Sequence, residues 1–592
     1  MISKRSLLLS SILLACGSPE PAAPAPAPAP TPVVETPPSA APLETGLPNW
    51  PHRAPVVAEG ERGMVVSDET RATRVGKDML ASGGNAVDAA VAVAFALAVT
   101  FPTAGNLGGG GFAVLSRGKE LRALDFRETA PKAATRDMYL DKDGKKLEGA
   151  HTGIRSVGVP GSVAGLWELH SHYGKKKWTQ VIAPAIALAR NGFTVDQAFA
   201  DTIDRAKVSL AKHPISAALF LPGGAPPKVG TIFANPDLAS TLERISANGP
   251  KGFYEGINAK TLAAQMKAEG GLITQADLSA YKAKWREPIS FTYRGARVVS
   301  MPPPSSGGVT LAMMAHILEG YDLKAMGFQS NESLNLTFEA MRRAFAARNT
   351  KLGDPDFVKM PLDTLLSPEW ANEQRATIEP GKATPSDKIE TAGPASGVGP
   401  HTTHFSVIDA DGDAVALTTT VNHWFGAGVT AKDGGYILNN EMDDFASVPG
   451  EPNAFGLVQG EANAIAPGKR MLSSMSPSLV FAPDGSLRLV LGAAGGPTII
   501  TAVFQQLSHV LDYDKSIGEA VYAPRFHMQH RPDAVMFEAN GLSQASAAWL
   551  KAAGYTMNER GHIADAPAIG RLGTRWIGVA EPRRAGGLAE GL

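Results

Sequence analysis

The sequence contains a single cysteine, Cys16, among 592 residues. One thiol cannot close an internal disulfide, build a cysteine-based zinc or iron–sulfur site, or supply Cys-x-x-Cys redox chemistry. Net charge is nearly absent as well, because 56 basic residues face 57 acidic ones. This balance gives no global electrostatic reason to bind an anionic polymer or surface, so we expect no nucleic-acid partner.

Long hydrophobic runs and several common motifs are also missing. The apolar run 86–101 is shorter than the roughly 20 residues that span a membrane, and it contains Asp88. The glycines at 108–111 do not have Gly-x-Gly-x-x-Gly spacing, because position 113 is alanine. No His-Glu-x-x-His, P-loop or Gly-x-Ser-x-Gly motif occurs. The run 86–101 therefore predicts a buried helix.

The N-terminus is typical of an export signal. Lys4 and Arg5 precede a ten-residue apolar stretch, which predicts a signal peptide over residues 1–15. The sequence Leu13-Leu14-Ala15-Cys16 resembles a bacterial lipobox, in which the cysteine receives a diacylglycerol and becomes the mature N-terminus; the alternative is an ordinary signal with a chance cysteine. We expect an exported protein, lipid-anchored to a bacterial membrane through Cys16 alone and facing the periplasm or cell exterior.

A proline-rich segment separates this signal from the body of the protein. Residues 18–48 hold eleven prolines, a composition that favours extended polyproline II and cannot bury a core. We therefore interpret residues 16–47 as a lipid-bearing cysteine followed by a linker. In the body, hydrophobic periodicity predicts helices over 162–173, 179–191, 309–321 and 332–347. The Gly- and Pro-rich residues 378–401 predict a surface loop.

Two β-prone runs follow this loop and flank an Asp/Gly cluster around Asp411, a pattern that predicts a hairpin. A connection of three or five residues would place Thr402 opposite Thr420. A two-residue Asp-Gly turn would place Thr402 opposite Val421 instead. Two hydroxyls are therefore expected to be cross-strand neighbours, although threonine pairs are common in strands without any chemistry.

The hairpin begins with Thr402-Thr403-His404, and further distinctive segments occur in order at 105–112, 125–131, 302–308, 353–357, 438–445, 469–477 and 495–496. Together these elements resemble the γ-glutamyltransferase (γ-glutamyl transpeptidase) family of N-terminal nucleophile hydrolases. The similarity covers roughly residues 50–592. The resemblance implies an α+β fold, a four-layer αββα sandwich formed jointly by a large subunit (48–401) and a small subunit (402–592).

The resemblance also implies self-cleavage between His401 and Thr402. A threonine hydroxyl is a poor nucleophile without a base, and the freed α-amine of Thr402, with a pKa of about 7.7–8.0, can serve as that base. Thr420 matches the hydroxyl that orients the nucleophile. Gly495 and Gly496 match the family's oxyanion hole, whose backbone donors stabilise the tetrahedral oxygen.

The implied donor group is γ-glutamyl, which ends in an α-carboxylate and an α-ammonium. By resemblance, the carboxylate-binding residues are Arg127, Ser473 and Ser474. The matching acceptors for the ammonium are Asn422, Glu441 and Asp444. An arginine suits a carboxylate because its planar fork can bind both oxygens. Each residue alone has a structural alternative, such as a surface ion pair for Arg127.

Three short stretches depart from the family pattern. Phe455 stands where some members carry a lid tyrosine, and a phenylalanine cannot donate that hydrogen bond. Ala493-Ala494 replace the common Ser-Pro before the oxyanion glycines, which puts the rigidity of that loop in question. His423-Trp424 are bulky at variable positions and are expected to shape the acceptor side.

The expected function is that of a γ-glutamyltransferase and glutathione hydrolase. Thr402 would form a γ-glutamyl ester and pass the group to water, an amino acid or a peptide, with glutathione as the usual donor and no metal or organic cofactor. The two subunits would form a heterodimer. One alternative is a related amidase, either a β-lactam acylase or a poly-γ-glutamate-cleaving enzyme. The other is an inactive lipid-anchored binding protein, against which the retained Thr402, Thr420 and glycine pair argue.

Overall fold

A computed structural model describes residues 56–147, 152–389, 402–539 and 541–592. The predicted signal peptide, Cys16, the linker and His401 lie outside the described residues. Within those ranges, no helix combines the length and apolar character needed to cross a membrane.

Two seven-stranded antiparallel sheets form the centre of the molecule. One has the order β1-β18-β17-β13-β12-β9-β8 and the other β19-β2-β10-β11-β3-β4-β7. The strands are β1 (Val57–Gly60), β2 (Met64–Ser67), β3 (Gly110–Arg117), β4 (Glu120–Asp125), β5 (Phe193–Thr194), β6 (Ile232–Phe233), β7 (Lys284–Arg286), β8 (Ile289–Tyr293), β9 (Ala296–Ser300), β10 (Thr402–Ile408), β11 (Ala414–Thr420), β12 (Ser478–Phe481), β13 (Leu487–Leu491), β14 (Phe526–His527), β15 (Val535–Glu538), β16 (Met557–Arg560), β17 (Ala568–Leu572), β18 (Arg575–Val579) and β19 (Leu588–Gly591).

The described residues form eighteen α-helices, some of which cover the outer faces of the two sheets. They are α1 (Thr70–Ala81), α2 (Ala86–Thr100), α3 (Ser162–Tyr173), α4 (Trp178–Asn191), α5 (Gln197–Leu210), α6 (Pro214–Phe220), α7 (Pro236–Asn248), α8 (Lys251–Tyr254), α9 (Gly256–Glu269), α10 (Gln275–Ala280), α11 (Gly307–Leu318), α12 (Leu323–Met326), α13 (Asn331–Lys351), α14 (Leu362–Leu365), α15 (Pro368–Ala376), α16 (Thr498–Asp512), α17 (Ile517–Tyr522) and α18 (Gln544–Ala552). Helices α1–α3 pack on the sheet that contains β10, and α11 and α17 pack on the other. Strands β10 and β11 face β17 and β13 across the interior. The four-layer αββα prediction is confirmed.

The apolar run 86–101 forms α2, a helix whose fifteen residues are all buried. Asn85 caps it, with its side chain accepting from the Asp88 amide while Asp88 accepts from the Asn85 amide. Asp88 also accepts from the amides of Lys175 and Lys176, so its buried carboxylate is well provided with donors. The helices predicted at 162–173, 179–191, 309–321 and 332–347 correspond to α3, α4, α11 and α13.

The hairpin has the register that a five-residue connection gives, with Thr402 opposite Thr420 and Ile408 opposite Ala414. Asp409 shapes the connection, because its Oδ1 accepts from the amides of Asp411 and Asp413 at 3.0 and 3.1 Å. The alternative pairing of Thr402 with Val421 is therefore excluded.

The described part of the predicted loop, residues 378–389, has no α-helix or strand and one 3₁₀ turn, Ser386–Lys388, and most of its residues are exposed or half-buried, as predicted. Ser386 is fully buried, where its hydroxyl donates to the carbonyl of His530 and accepts from Arg342 at 2.7 Å each. These two hydrogen bonds attach the loop to Arg342 and His530.

Candidate active site

Thr402 begins β10 and is 5% exposed. Its Oγ1 donates to the Oγ1 of Thr420 across the strand pair at 3.4 Å. The Thr420 hydroxyl in turn accepts a 2.8 Å hydrogen bond from the amide of Asn422, which fixes its oxygen. The two hydroxyls lie on the wall of a pocket with about 340 Å³ of empty volume.

This pocket brings together nearly all the residues predicted to act on a substrate. Its lining includes Thr402, Thr420, Arg127, Asn422, Glu441, Asp444, Ser473, Ser474 and Gly496. Gly495 directly precedes Gly496 in the chain. These side chains come from segments separated by more than 300 residues, and the antiparallel sheets bring them to one end of the hairpin.

The glycine run at 108–111 has a packing role at this site. A Cβ on Gly109 would lie 2.1 Å from the carbonyl oxygen of Thr420, and one on Gly111 would lie 2.4 Å from that of Thr418. Only glycine permits β3 and the turn before it to approach β11 so closely. Asn106 tightens the contact, because its Nδ2 donates to the Thr420 carbonyl at 2.9 Å.

Arg127 lies at the centre of a buried acidic cluster. Its side chain is 1% exposed and donates through Nη1 to Glu441 and through Nη2 to Asp444. Both acids belong to a short 3₁₀ turn, Glu441–Asp444. A third carboxylate, Glu128, lies 3.7 Å from Nη1 and is completely buried. Arg127 therefore holds carboxylates that a bound ammonium could share.

Burial governs the pKa values in this cluster. It raises the pKa of Glu128 to about 7, with the charge of Arg127 opposing the shift. Burial also raises the pKa of Glu441 well above its ordinary range and that of Asp444 to a lesser degree. For Arg127, burial alone would lower the pKa, but the charges of Glu441 and Asp444 outweigh it and the pKa is raised. Three acids face one arginine, so a bound cation would stabilise their ionised forms.

The two predicted serines also line this pocket. Ser473 Oγ accepts from the amide of Met475 at 3.1 Å. Ser474 Oγ accepts from Nη2 of Arg348 at 3.2 Å. Because each oxygen already accepts a hydrogen bond, each O–H is oriented to donate elsewhere. This arrangement suits an anionic group in the pocket.

The glycine pair before α16 has a backbone conformation suited to a loop whose amide N–H groups bind an oxyanion. Gly495 and Gly496 have φ angles of +142° and +59°, which favour glycine. A Cβ on Gly496 would lie 2.8 Å from the Phe455 ring, so a larger residue would also clash. Among the described residues neither amide N–H has a hydrogen-bond acceptor. Both remain able to donate to an oxyanion.

The departures from the family pattern have structural explanations here. Phe455 lines the pocket and packs edge-on against His423, with ring centroids 5.2 Å apart. Ala494 exchanges two backbone hydrogen bonds with Asp565, of 2.7 and 2.8 Å, which fixes the oxyanion loop without proline. Trp424 lines a different pocket, where the guanidiniums of Arg205 and Arg584 each lie 5.5 Å from its ring.

Two residues at the site were missed by sequence reasoning. Arg348, on α13, lines the same pocket as Thr402. Nothing in the sequence distinguishes it from Arg342 and Arg343 on the same helix. Asp68 accepts from the hydroxyl of Thr403, the residue after the nucleophile candidate, at 2.9 Å. Burial raises the pKa of Asp68 to about 7. Asp68 follows β2, so only the strand pairing brings it to the hairpin.

His404, two residues after Thr402 in the chain, is a core residue. Its ring contacts the hydroxyls of Thr418 and Ser406 at 2.9 and 3.0 Å. Burial lowers its pKa to about 3, so it stays neutral. Within the described ranges, no group of three or more His, Cys, Asp or Glu side chains is arranged to hold a metal ion.

Three known proteins resemble this chain over most of its length. The glutathione hydrolase proenzyme of Pseudomonas sp. (strain A14) is 48% identical over 91% of this chain and 95% of its own length. The acylase ACY 1 proenzyme of Pseudomonas sp. (strain V22) is 40% identical over 79% and 83%. The crystal structure of cephalosporin acylase from Bacillus halodurans superposes with a TM-score of 0.81 at 27% identity, covering 90% of this chain and 97% of that one.

A sequence family described as gamma-glutamyltranspeptidase matches residues 72–591, nearly the whole described structure. The match includes both strands of the hairpin and every pocket residue predicted above. On this evidence the chain belongs to the gamma-glutamyltranspeptidase family.

Proposed function

We propose that this protein is a γ-glutamyltransferase and glutathione hydrolase that activates itself by cleavage before Thr402. One observation carries the proposal: a single pocket joins the paired hydroxyls of Thr402 and Thr420 to a recognition site of opposite charges. The buried acids around Arg127 suit an α-ammonium, and the serine hydroxyls suit an α-carboxylate. A γ-glutamyl end carries both groups. The 48% identity to a glutathione hydrolase proenzyme supports glutathione as the donor.

Self-cleavage would use the same hydroxyl. Thr402 Oγ1 attacks the carbonyl carbon of residue 401, its proton passes to the departing amide nitrogen, and an ester replaces the peptide bond. That shift frees the α-amine of Thr402, and water then hydrolyses the ester, releasing the carboxyl end of the large subunit and regenerating the Thr402 hydroxyl. Cleavage is thus activation, because it produces the base that the nucleophile needs.

Turnover would repeat this chemistry on the donor. The α-amine of Thr402 accepts the Oγ1 proton while Oγ1 attacks the γ-carbonyl carbon. Gly495 and Gly496 amides stabilise the oxyanion, and the proton goes to the leaving amine. A γ-glutamyl ester of Thr402 remains. Water opens it to glutamate, and an amino acid or peptide amine opens it to a new γ-glutamyl amide.

Mass spectrometry combined with one variant tests this proposal. We expect purified protein to contain two fragments divided before Thr402 and to hydrolyse γ-glutamyl-p-nitroanilide. Thr402→Ala should remain one chain and lose both cleavage and hydrolysis. The matched control Thr403→Ser should be cleaved at the same bond. An intact wild-type chain that still hydrolyses the substrate would refute the assigned nucleophile.

A related acylase is the second candidate, favoured by the TM-score of 0.81 to a cephalosporin acylase and by the 40% identity to acylase ACY 1. The cluster of Arg127, Glu441 and Asp444 favours a substrate with an ammonium group instead. Comparing γ-glutamyl-p-nitroanilide with glutaryl-p-nitroanilide separates the two. The second lacks the ammonium, and a preference for it would support the acylase.

We also propose export and lipid anchoring through Cys16, supported by its place in the lipobox-like Leu13-Leu14-Ala15-Cys16. Expression with radiolabelled palmitate should label the wild type and leave Cys16→Ser unlabelled. Labelling of the serine variant would contradict this assignment. Label-free wild type in the membrane fraction would do so as well.

A further inference from the structure

The protein has a second pocket that shares no lining residue with the pocket of Thr402. Its empty volume is about 630 Å³, a size typical of small-molecule sites. It lies between the start of α1, the end of α2, one side of α5 and the C-terminal segment 583–586. Asp68, Phe101, Phe199, Arg205, Trp424 and Arg584 belong to its wall.

The alternation of side chains along β10 separates the two pockets. Consecutive residues of a strand point to opposite faces of the sheet. Thr402 lines the first pocket, whereas Thr403 donates to Asp68, which lines the second. The pockets therefore lie on opposite faces of β10. An occupant of the second pocket is not positioned to attack an ester on Thr402 Oγ1.

Asp68 is a buried acid without a counter-charge. It is 1% exposed, and it forms no ion pair with any described residue. Its Oδ2 accepts from Thr403, but its Oδ1 has no hydrogen-bond partner in the described part of the chain. The nearby buried arginines are paired with other acids: Arg525 with Glu581, Arg583 with Glu538, and Arg584 with Asp565. A buried carboxylate oxygen without a donor is costly, so its place on a pocket wall points to a ligand that supplies one.

The Asp68 carboxyl can act as an anion near neutral pH. Burial raises its pKa to about 7, and the charge of Arg584 opposes the shift. At pH 8 about nine-tenths of these carboxyls are therefore ionised. A cation beside Oδ1 would stabilise the ionised form further.

Arg205 provides the opposite charge at the mouth of the pocket. Its side chain is exposed, and its guanidinium lies 5.5 Å from the centre of the Trp424 ring. It forms no hydrogen bond or ion pair with the residues that the structure describes. Asp201, one turn earlier on α5, already accepts from Gln197 Nε2 at 2.6 Å. The pocket thus has an unmatched acid at its base and an unmatched arginine at its mouth.

We propose that this pocket binds a small zwitterion whose ammonium and carboxylate are joined by an apolar chain, an ω-aminocarboxylate. The ammonium donates to Asp68 Oδ1, and the carboxylate meets Arg205. The chain between them packs against the rings of Phe101, Phe199 and Trp424. A metal ion fits less well, because no group of three or more His, Cys, Asp or Glu side chains in the described ranges is arranged to hold one. This binding site does not depend on the γ-glutamyl chemistry proposed above.

Calorimetry with the purified full-length protein at pH 8 tests the proposal. The probes are 4-aminobutyrate, 5-aminopentanoate and 6-aminohexanoate, because the chain length that spans the pocket best is to be found. We expect one molecule per chain to bind in saturable fashion for the best of the three. The amine and the carboxylate of the same chain length, which keep one charge each, should bind at least about tenfold more weakly. Saturating L-glutamate should not displace the zwitterion. Absence of saturable binding by all three probes, or displacement by L-glutamate, would overturn the proposal.

Two variants locate the bound probe. Asp68→Asn should weaken binding about 30-fold or more, because a buried charge pair is lost. Arg205→Gln, at an exposed position that folding does not depend on, should weaken it about threefold to fivefold. Lys207→Gln is the matched control, since it removes a positive charge from α5 at a position outside the pocket lining. It should change the affinity less than about twofold. Wild-type affinity in Asp68→Asn or Arg205→Gln would contradict the assignment, and so would an equal loss in Lys207→Gln.

Discussion

At the scale of single residues, the site is defined by how its charges are buried. Glu128 is fully buried, and neither of its oxygens has a hydrogen-bond partner among the described residues. It faces Arg127, Glu441 and Asp444. An ionised Glu128 would add a third negative charge to one arginine. The protein therefore gains stability when Glu128 is protonated.

The buried Glu128 predicts that part of the pH dependence of the free energy of unfolding disappears in Glu128→Gln. Burial raises the pKa of Glu128 from 4.5 to about 7. The folded state then binds more protons than the unfolded state. The contribution of Glu128 to the free energy of unfolding is therefore complete below about pH 4.5 and is lost as the pH rises through 7. The free energy of unfolding should fall by up to about 3 kcal/mol in that window. Urea unfolding at pH 4.5 and 7.5 measures the difference.

Glu287→Gln is the control, because that side chain is 86% exposed. It should keep the wild-type pH dependence, whereas Glu128→Gln should lose part of it. An equal change in the free energy of unfolding between pH 4.5 and 7.5 for wild type, Glu128→Gln and Glu287→Gln would mean that Glu128 is ionised in the folded protein at neutral pH.

The sequence was sufficient to predict most of the polar residues that line the pocket, but it missed Arg348. Arg127, Glu441 and Asp444 stand in recognisable segments, so resemblance assigns them. Arg348 lies in α13 beside Arg342 and Arg343, and all three are buried. Only three-dimensional contacts distinguish it, since Arg342 pairs with Asp533 and Glu339, and Arg343 with Glu339.

At the scale of elements, the hairpin was predictable to within one residue. The β-prone runs and the Asp/Gly cluster predict two strands, but the length of the connection decides which residue faces Thr402. That length is set by Asp409, whose Oδ2 also accepts from the Ala86 amide at the start of α2. A contact between residues 323 positions apart cannot be derived from local pattern.

The approach of the glycine run to β11 yields a prediction at this scale. In Gly109→Ala the new Cβ would lie 2.1 Å from the Thr420 carbonyl and 2.7 Å from Asn106 Oδ1, so the end of β11 must move. We expect a stability loss of about 1–3 kcal/mol and a fall in kcat of about tenfold or more, because Thr420 is displaced. Steady-state kinetics and thermal unfolding measure both.

Gly561→Ala provides the control, because nothing lies within 4 Å of the position of its Cβ and its backbone is ordinary. It should change kcat by less than about twofold. If Gly109→Ala behaved like this control, the close packing of the run would be irrelevant to the nucleophile pair.

At the scale of the whole molecule, neither sheet belongs to one side of the proposed cleavage. Strands β10, β11 and β19 share a sheet with β2, β3, β4 and β7, and β10 lies directly between β2 and β11. The other sheet combines β1, β8 and β9 with four strands from the C-terminal part. The four-layer class was predictable through resemblance, but this interleaved order depends on long-range pairing that no local pattern specifies.

Interleaving predicts that the two fragments stay together without covalent or ionic help. β10 forms seven residue pairs with β11 and four with β2, and the latter crosses the proposed subunit boundary. The only cysteine, Cys16, cannot link the fragments within one molecule. Backbone hydrogen bonds and apolar packing between buried strands are little screened by salt. After cleavage, both fragments should therefore elute together from a sizing column in 1 M NaCl with reductant. They should separate only in denaturant, in the transition that also abolishes activity, whereas fragments that separate in salt while each keeps native circular dichroism would show that the sheets are not shared.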